Sequence, residues 1–235
     1  MLKDFKEIRK YKEYLNDLGI RKIKLFCFPI QYWRELVSAF KLINEDYPLI
    51  FNYLDEISYK YLKDVTMKIS PKISYEEYVK SSYRIASLHF NYKEIDNKNF
   101  ENMRYKNYEN GFHKTYSFKS YIMHEMGHLL EISIKYKSFK KEKLAKMEYD
   151  DFLLAIREYD IPKQAYIEEF GDLDRSNLID KYAYGNKNVS EFCAEAFSEY
   201  YCLENPPMYA IQVVSQYKKL YKKYFWNIWT SNIIN

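Results

Sequence analysis

The sequence predicts a mixed α+β domain with its strands early and its helices late. Runs of strand length and strand alternation, RKIKLFCF (21–28) and SYRIASLHFN (82–91), occur only before the middle of the chain. From residue 118 onward the apolar residues recur every three or four positions, the period of helices packed by one face. The 235 residues, 47% apolar and 30% charged, can bury one sizeable core and allow two lobes around a cleft.

The elements follow in order. Residues 4–18 carry a helical pattern that stops at Leu18-Gly19. Residues 21–28 read as a strand and 30–45 as an amphipathic helix ending before Pro48. The stretch 49–70 fits no single template. A short helix is expected at 74–81, where SYEE resembles a capping box. Residues 82–91 form the next strand, and 92–117, polar and rich in Asn, read as irregular. A helix from about 118 to 136 follows, then a charged one over about 141–159, which ends before Pro162. Residues 163–187 are mixed. NVSEFCAEAFSEYYC (188–202) reads as a helix capped by Asn188 or Ser190; Asn205-Pro206-Pro207 breaks it, and a last helix covers about 207–227.

Composition excludes several classes. The formal charge is only +4, and lysines alternate with acids along the chain, so no nucleic-acid footprint is present. The 27 tyrosines against 5 glycines fit the codon bias of an AT-rich genome. Cys27, Cys193 and Cys202 are odd in number and contain no CxxC, which suits reduced, buried thiols. MLKDFKEIRKYKEYLNDLG is charged throughout and lacks the apolar core of a secretory signal, and no apolar run reaches bilayer length. The expectation is a cytoplasmic protein without a transmembrane segment, with signal-less export or a virion-borne form as alternatives.

Chemistry concentrates in YIMHEMGHLL (121–130). His124 and His128, four apart, lie one above the other on one helix face, so both imidazoles reach the same point. Catalytic zinc takes three protein ligands and keeps a position for water. Glu125 points about 100° around the helix from His124. It therefore stands beside a metal rather than on it, where a carboxylate can take a proton from water. The pattern is HExxH. Ile122, Met123, Met126, Leu129 and Leu130 would bury the helix, and Gly127 leaves room for close packing behind the site.

No third histidine follows in HEMGHLLEISI, so the third ligand must come from elsewhere. Glu191 and Glu195, again four apart, lie in an apolar helix where unpaired carboxylates would be costly. Either one can ligate zinc while the other accepts the N–H of a bound histidine. The residues alone do not rank the two.

HEMGH, then Tyr184-Gly185, then Glu191-Phe192-x-Ala194-Glu195-Ala196-Phe197 resembles the catalytic domain of the anthrax lethal factor metallopeptidases. The family pattern is HEFGH, Tyr-Gly and Glu-Phe-x-Ala-Glu-Ala-Phe. The resemblance covers two short blocks, about 121–130 and 184–198. It implies one zincin-like domain over 1–235, with a small sheet and the HExxH helix in a lobe to residue 136 and a mainly helical lobe over 137–235. It implies one zinc ion on His124, His128 and Glu191, with Glu125 as general base. It places Tyr184 at the oxyanion and Glu195 behind a ligand. Without it, Tyr184 is one of 27 tyrosines.

The expected function is a zinc endopeptidase acting on a peptide or protein. One alternative is a protease of a single partner, similar to phage and mobile-element repressor proteases; another is a non-catalytic zinc module. Residues 137–183 read as a solvated helix pair, with a lid or specificity insertion as the alternative. IASLHF (85–90) is the candidate edge strand for a peptide substrate, with an interior strand as the alternative. His89 and His113 read as structural or surface histidines. QYKKLYKKYFWNIW (216–229) reads as a C-terminal helix packing its aromatics into the core, with contact to a membrane surface as the alternative.

Overall fold

The computed structural model describes residues 2–63, 65–71, 85–110, 114–138, 146 and 189–225. Helix α1, Leu2–Asp17, ends where Gly19 adopts φ 86°, a left-handed turn that a side chain would strain. After β1, Lys22–Lys24, helix α2 runs Ile30–Asp46 and stops before Pro48. Its buried Trp33, Leu36, Val37, Phe40 and Ile43 recur at helical spacing on one face. A 3-10 turn, Pro48–Tyr53, leads into β2, Leu54–Lys60, and then β3, Met67–Pro71, and β4, Ala86–Asn91. Helices α3, Tyr92–Ile95, and α4, Phe100–Glu109, precede α5, Phe118–Ser138. Helices α6, Val189–Cys202, and α7, Met208–Phe225, complete the described chain.

The fold is mixed α+β, as the sequence predicts, with strand order β1-β2-β4-β3. Strands β1, β2 and β4 run parallel, and β3 joins β4 antiparallel at the sheet edge. Ile57, Leu88 and Ile69 stand in register and share one face. That face meets α2 and α5 in one apolar cluster, which also includes residues of α6 and α7.

Several expectations need correction. The first strand is three residues rather than eight, because the chain turns at Cys27, where φ is 57°. The ambiguous 49–70 resolves into the 3-10 turn and two strands. IASLHF is an interior strand, all six residues of β4 being buried, and the sheet edge next to it belongs to β3, with β1 at the opposite edge. The stretch 92–117 is not irregular throughout. Buried Phe100 packs on Tyr32 and Phe118, and buried Arg104 donates to the Tyr116 carbonyl at 2.7 Å, which together hold α4. Cys193 is buried as expected, but Cys27 is exposed; none of the three forms a disulfide. His89 is structural: buried in the sheet, its Nδ1 lies 2.7 Å from Ser58 Oγ. Tyr217, Tyr221 and Phe225 of α7 enter the core as expected. The expected helices at 74–81 and 141–159, His113, and the rest of 137–183 past Ser138, apart from residue 146, lie outside the described residues. No helix among the described residues is long and apolar enough to cross a membrane.

Candidate metal centre

Helix α5 carries the two histidines, and its start is secured from two sides. The Ser120 N–H donates to Ser117 Oγ at 3.1 Å, a side-chain cap on the first turn, and the Lys119 N–H donates to Glu35 Oε2 of α2 at 2.7 Å. Helix α6 lies against α5, buried without a break from Phe192 to Glu199. Ser198 Oγ donates to the Ser120 carbonyl at 2.8 Å and fixes the relative height of the two helices. Their close approach depends on Gly127, where an added Cβ would stand 3.1 Å from Ala194 Cα.

This packing brings His124, His128 and Glu191 together, one donor atom of each lying within 4.8 Å of the others. The two Nε2 atoms are 3.1 Å apart. Glu191 Oε2 is 3.2 Å from His124 Nε2, and its Oε1 is 3.6 Å from His128 Nε2. Tetrahedral zinc with ligand bonds near 2.05 Å would separate its donors by about 3.3 Å. Glu191 Oε2 is buried and accepts no hydrogen bond, an oxygen left without a donor beside two facing imidazole nitrogens. That arrangement is costly for a carboxylate in a protein interior and suits a divalent cation. The group can hold a metal ion.

The far sides of both imidazoles face carboxylates. His124 Nδ1 lies 2.8 Å from Glu195 Oε1. His128 Nδ1 lies 3.2 Å from Ser190 Oγ, and that hydroxyl donates to Glu131 Oε2. Glu131 is itself held by Lys135, whose Nζ is 2.6 Å from Oε1. Each Nδ1 thus has a polar group on its far side, Glu195 behind His124 and the Ser190–Glu131 pair behind His128, and each Nε2 faces Glu191. Glu195 thus stands where the sequence allowed it, behind a histidine. Ser190, expected as a helix cap, lies inside α6 and serves His128 instead. Glu131 and its hydroxyl bridge were not anticipated; the signal was a single acid in the apolar run LLEISI, three residues after His128 on the same face.

Glu125 lies beside the donors, not among them. The backbone N–H of Ile69, on edge strand β3, donates to its Oε2 at 2.6 Å. The edge of the sheet thus holds this carboxylate. Tyr184 and Gly185 lie outside the described residues.

The charge balance follows from the burial. Burial alone would push the His124 pKa down, but Glu195 and Glu191 outweigh it and raise the pKa well above the ordinary value. Burial opposes the same effect at His128, where the nearby Glu131 and Glu191 carboxylates raise it to about 9. The two histidines hold the Glu191 carboxyl far below its usual range against a smaller opposing effect of burial. Burial would raise Glu131, yet His128 and Lys135 keep it lowered. The carboxylates around the two imidazoles favour positive charge at this site, which a metal ion or protons on the imidazoles would supply.

Comparisons of the chain with protein-family models, with curated proteins and with solved structures find no match. The likeness to the lethal factor peptidases rests on the two sequence blocks alone.

Proposed function

We propose that this chain is a zinc-dependent endopeptidase of the gluzincin kind, with His124, His128 and Glu191 holding the zinc. The observation that carries the reading is the convergence of two tied-back imidazoles and an undonated carboxylate oxygen, with a second carboxylate fixed just outside the donor set. When bound, zinc supplies Lewis acidity, which acidifies water and polarises a peptide carbonyl.

The chain's own residues do the rest. Glu125 receives the proton of the attacking water on a carboxylate oxygen and delivers it to the departing amide nitrogen. Glu195, and Glu131 through Ser190, keep both Nε2 atoms turned to the centre. The resemblance assigns the Tyr184 hydroxyl to the developing oxyanion. The substrate backbone adds to the outer edge of β3, the strand whose amide holds Glu125, rather than to β4. The two-lobed zincin-like architecture belongs to this reading, with sheet and α5 in the first lobe and Glu191 and Glu195 supplied by the second.

The test is a mass-spectrometric cleavage screen on a diverse peptide library, run with zinc on the wild type and on Glu125→Gln. The variant should keep its zinc and lose about 100-fold or more in rate. Appreciable hydrolysis by it would sink the role given to Glu125. No cleavage by either protein, with zinc bound to both, would favour a protease of one partner or a non-catalytic zinc module.

A further inference from the structure

A cavity of about 380 Å³ opens on one side of the metal centre. His124, Glu125 and Glu195 line it; His128 and Glu191 do not. Its place suits a side chain next to the reacting bond rather than the bond itself, an argument that rests on the peptidase reading above. Its size lies within the range of pockets that enclose ligand groups.

The lining has a definite chemical character. Met67 of β3 and Met103 of α4 contribute unbranched, polarisable walls. Among the described residues, no lysine or arginine lines it. Lys114, adjacent to a lining residue, directs its Nζ to the Tyr209 hydroxyl at 3.2 Å. Two of the three lining glutamates are engaged, Glu125 by the Ile69 amide and Glu195 by His124. The third, Glu94 of α3, is partly buried, and its carboxylate has no partner among the described residues.

A carboxylate partly withdrawn from water, with no cation opposite, favours a ligand that brings one. We infer that this cavity is a specificity pocket for a basic residue adjoining the scissile bond, its aliphatic stem along Met67 and Met103 and its charged head at Glu94. Lysine and arginine divide between apolar and charged surroundings in this way. An acidic side chain would enter among carboxylates, and a neutral one would leave Glu94 unmatched.

Binding to the zinc-loaded full chain tests this without turnover. The probes are two series of short peptide hydroxamates, the varied residue on the acyl side in one and on the amine side in the other. Each series carries lysine, arginine, norleucine, glutamate or glycine at that position, and calorimetry reads the affinity. In one series the lysine and arginine probes should bind about tenfold tighter than norleucine, and glutamate more weakly than norleucine. Glu94→Gln should bring the lysine-to-norleucine ratio near one while leaving the glycine probe unchanged. Glu94→Lys should put the glutamate probe first. Equal binding of lysine and norleucine in both series, by a protein that binds the glycine probe, overturns the specificity inference and leaves the peptidase reading intact. Failure of every probe, glycine included, overturns both.

Discussion

Replacing Gly127 with alanine tests the packing on which the donor set depends. The added Cβ would stand 3.1 Å from Ala194 Cα, 3.3 Å from Phe197 Cβ and 3.5 Å from Ala194 Cβ. Carbon atoms pack comfortably at about 3.5–4.0 Å, so the first contact asks α6 to retreat by roughly 0.4 Å. The nearest atom belongs to the backbone, and no side-chain rotation relieves it. Because α6 is buried continuously from Phe192 to Glu199, it shifts as a unit. Glu191 and Glu195 retreat with it, while His124 and His128 stay on α5. Two terms then oppose each other in stability. Alanine gains about 1 kcal/mol of helix propensity over glycine, and overpacking costs about 1–3 kcal/mol. The net loss is only about 0–2 kcal/mol, so melting temperature is a weak judge. Metal affinity is a stronger one, since ligand distances tolerate only about 0.2 Å. Zinc affinity should fall about 10–100-fold, the scale seen when the support of a ligand is lost. Competition titration against a chromophoric chelator measures it, with Gly127→Val expected to be worse. Unchanged zinc affinity in Gly127→Ala would refute the idea that the α5–α6 contact sets the donor geometry.

Other outcomes follow from the same site. Glu131→Gln and Ser190→Ala should each weaken zinc about 10-fold or more, while Ser190→Thr, which keeps the hydroxyl, should retain most of the affinity in the same titration. Zinc uptake must displace the proton on His128, so affinity should rise about tenfold per pH unit for each proton released and level off above about pH 9. In the metal-free protein the raised His128 pKa stabilises fully below its unfolded value of about 6.5 and is lost as pH climbs through about 9. The lowered Glu191 pKa acts oppositely, stabilising above about 4.5 and fading on acidification. Melting curves should therefore show the metal-free chain weakening from neutral to alkaline pH, and the zinc-loaded chain not doing so. Chelation at neutral pH should lower the melting temperature by several degrees; no change on chelation would argue against a metal at this site.

How much was legible in the sequence depends on where each signal lies. Helix ends were readable because single residues enforce them: Gly19 turns the chain at positive φ, and Pro48 and Pro207 cannot continue a helix. Strand β3 was hidden, because MKISP is short, ends in proline and carries an outward lysine between apolar residues. Helix α4 was hidden for another reason. Only Phe100 and Arg104 are buried along its ten residues, and a buried arginine does not read as core. Its order comes from distant residues, Tyr32, Tyr116 and Phe118, which no local window contains.

The same distinction runs through the metal centre. Two spacings of four, His124 to His128 and Glu191 to Glu195, each lie on one helix, and the sequence shows each directly. What it could not show is that each histidine has its own support, built differently. His124 meets a carboxylate directly, since Glu195 comes with Glu191 on the helix that faces it. Behind its Nδ1, His128 meets a hydroxyl rather than a carboxylate from α6. Its carboxylate comes from its own helix, one turn on, where a side chain cannot reach Nδ1 well: Glu131 Oε2 stays 3.9 Å away. A hydroxyl from α6 closes that gap, Ser190 accepting from the imidazole and donating to Glu131. Neither Ser190 nor Glu131 means anything alone, and the pair is 59 residues apart. A support divided between two helices becomes visible only when the helices are packed, which is why the donors were legible and half of what orients them was not.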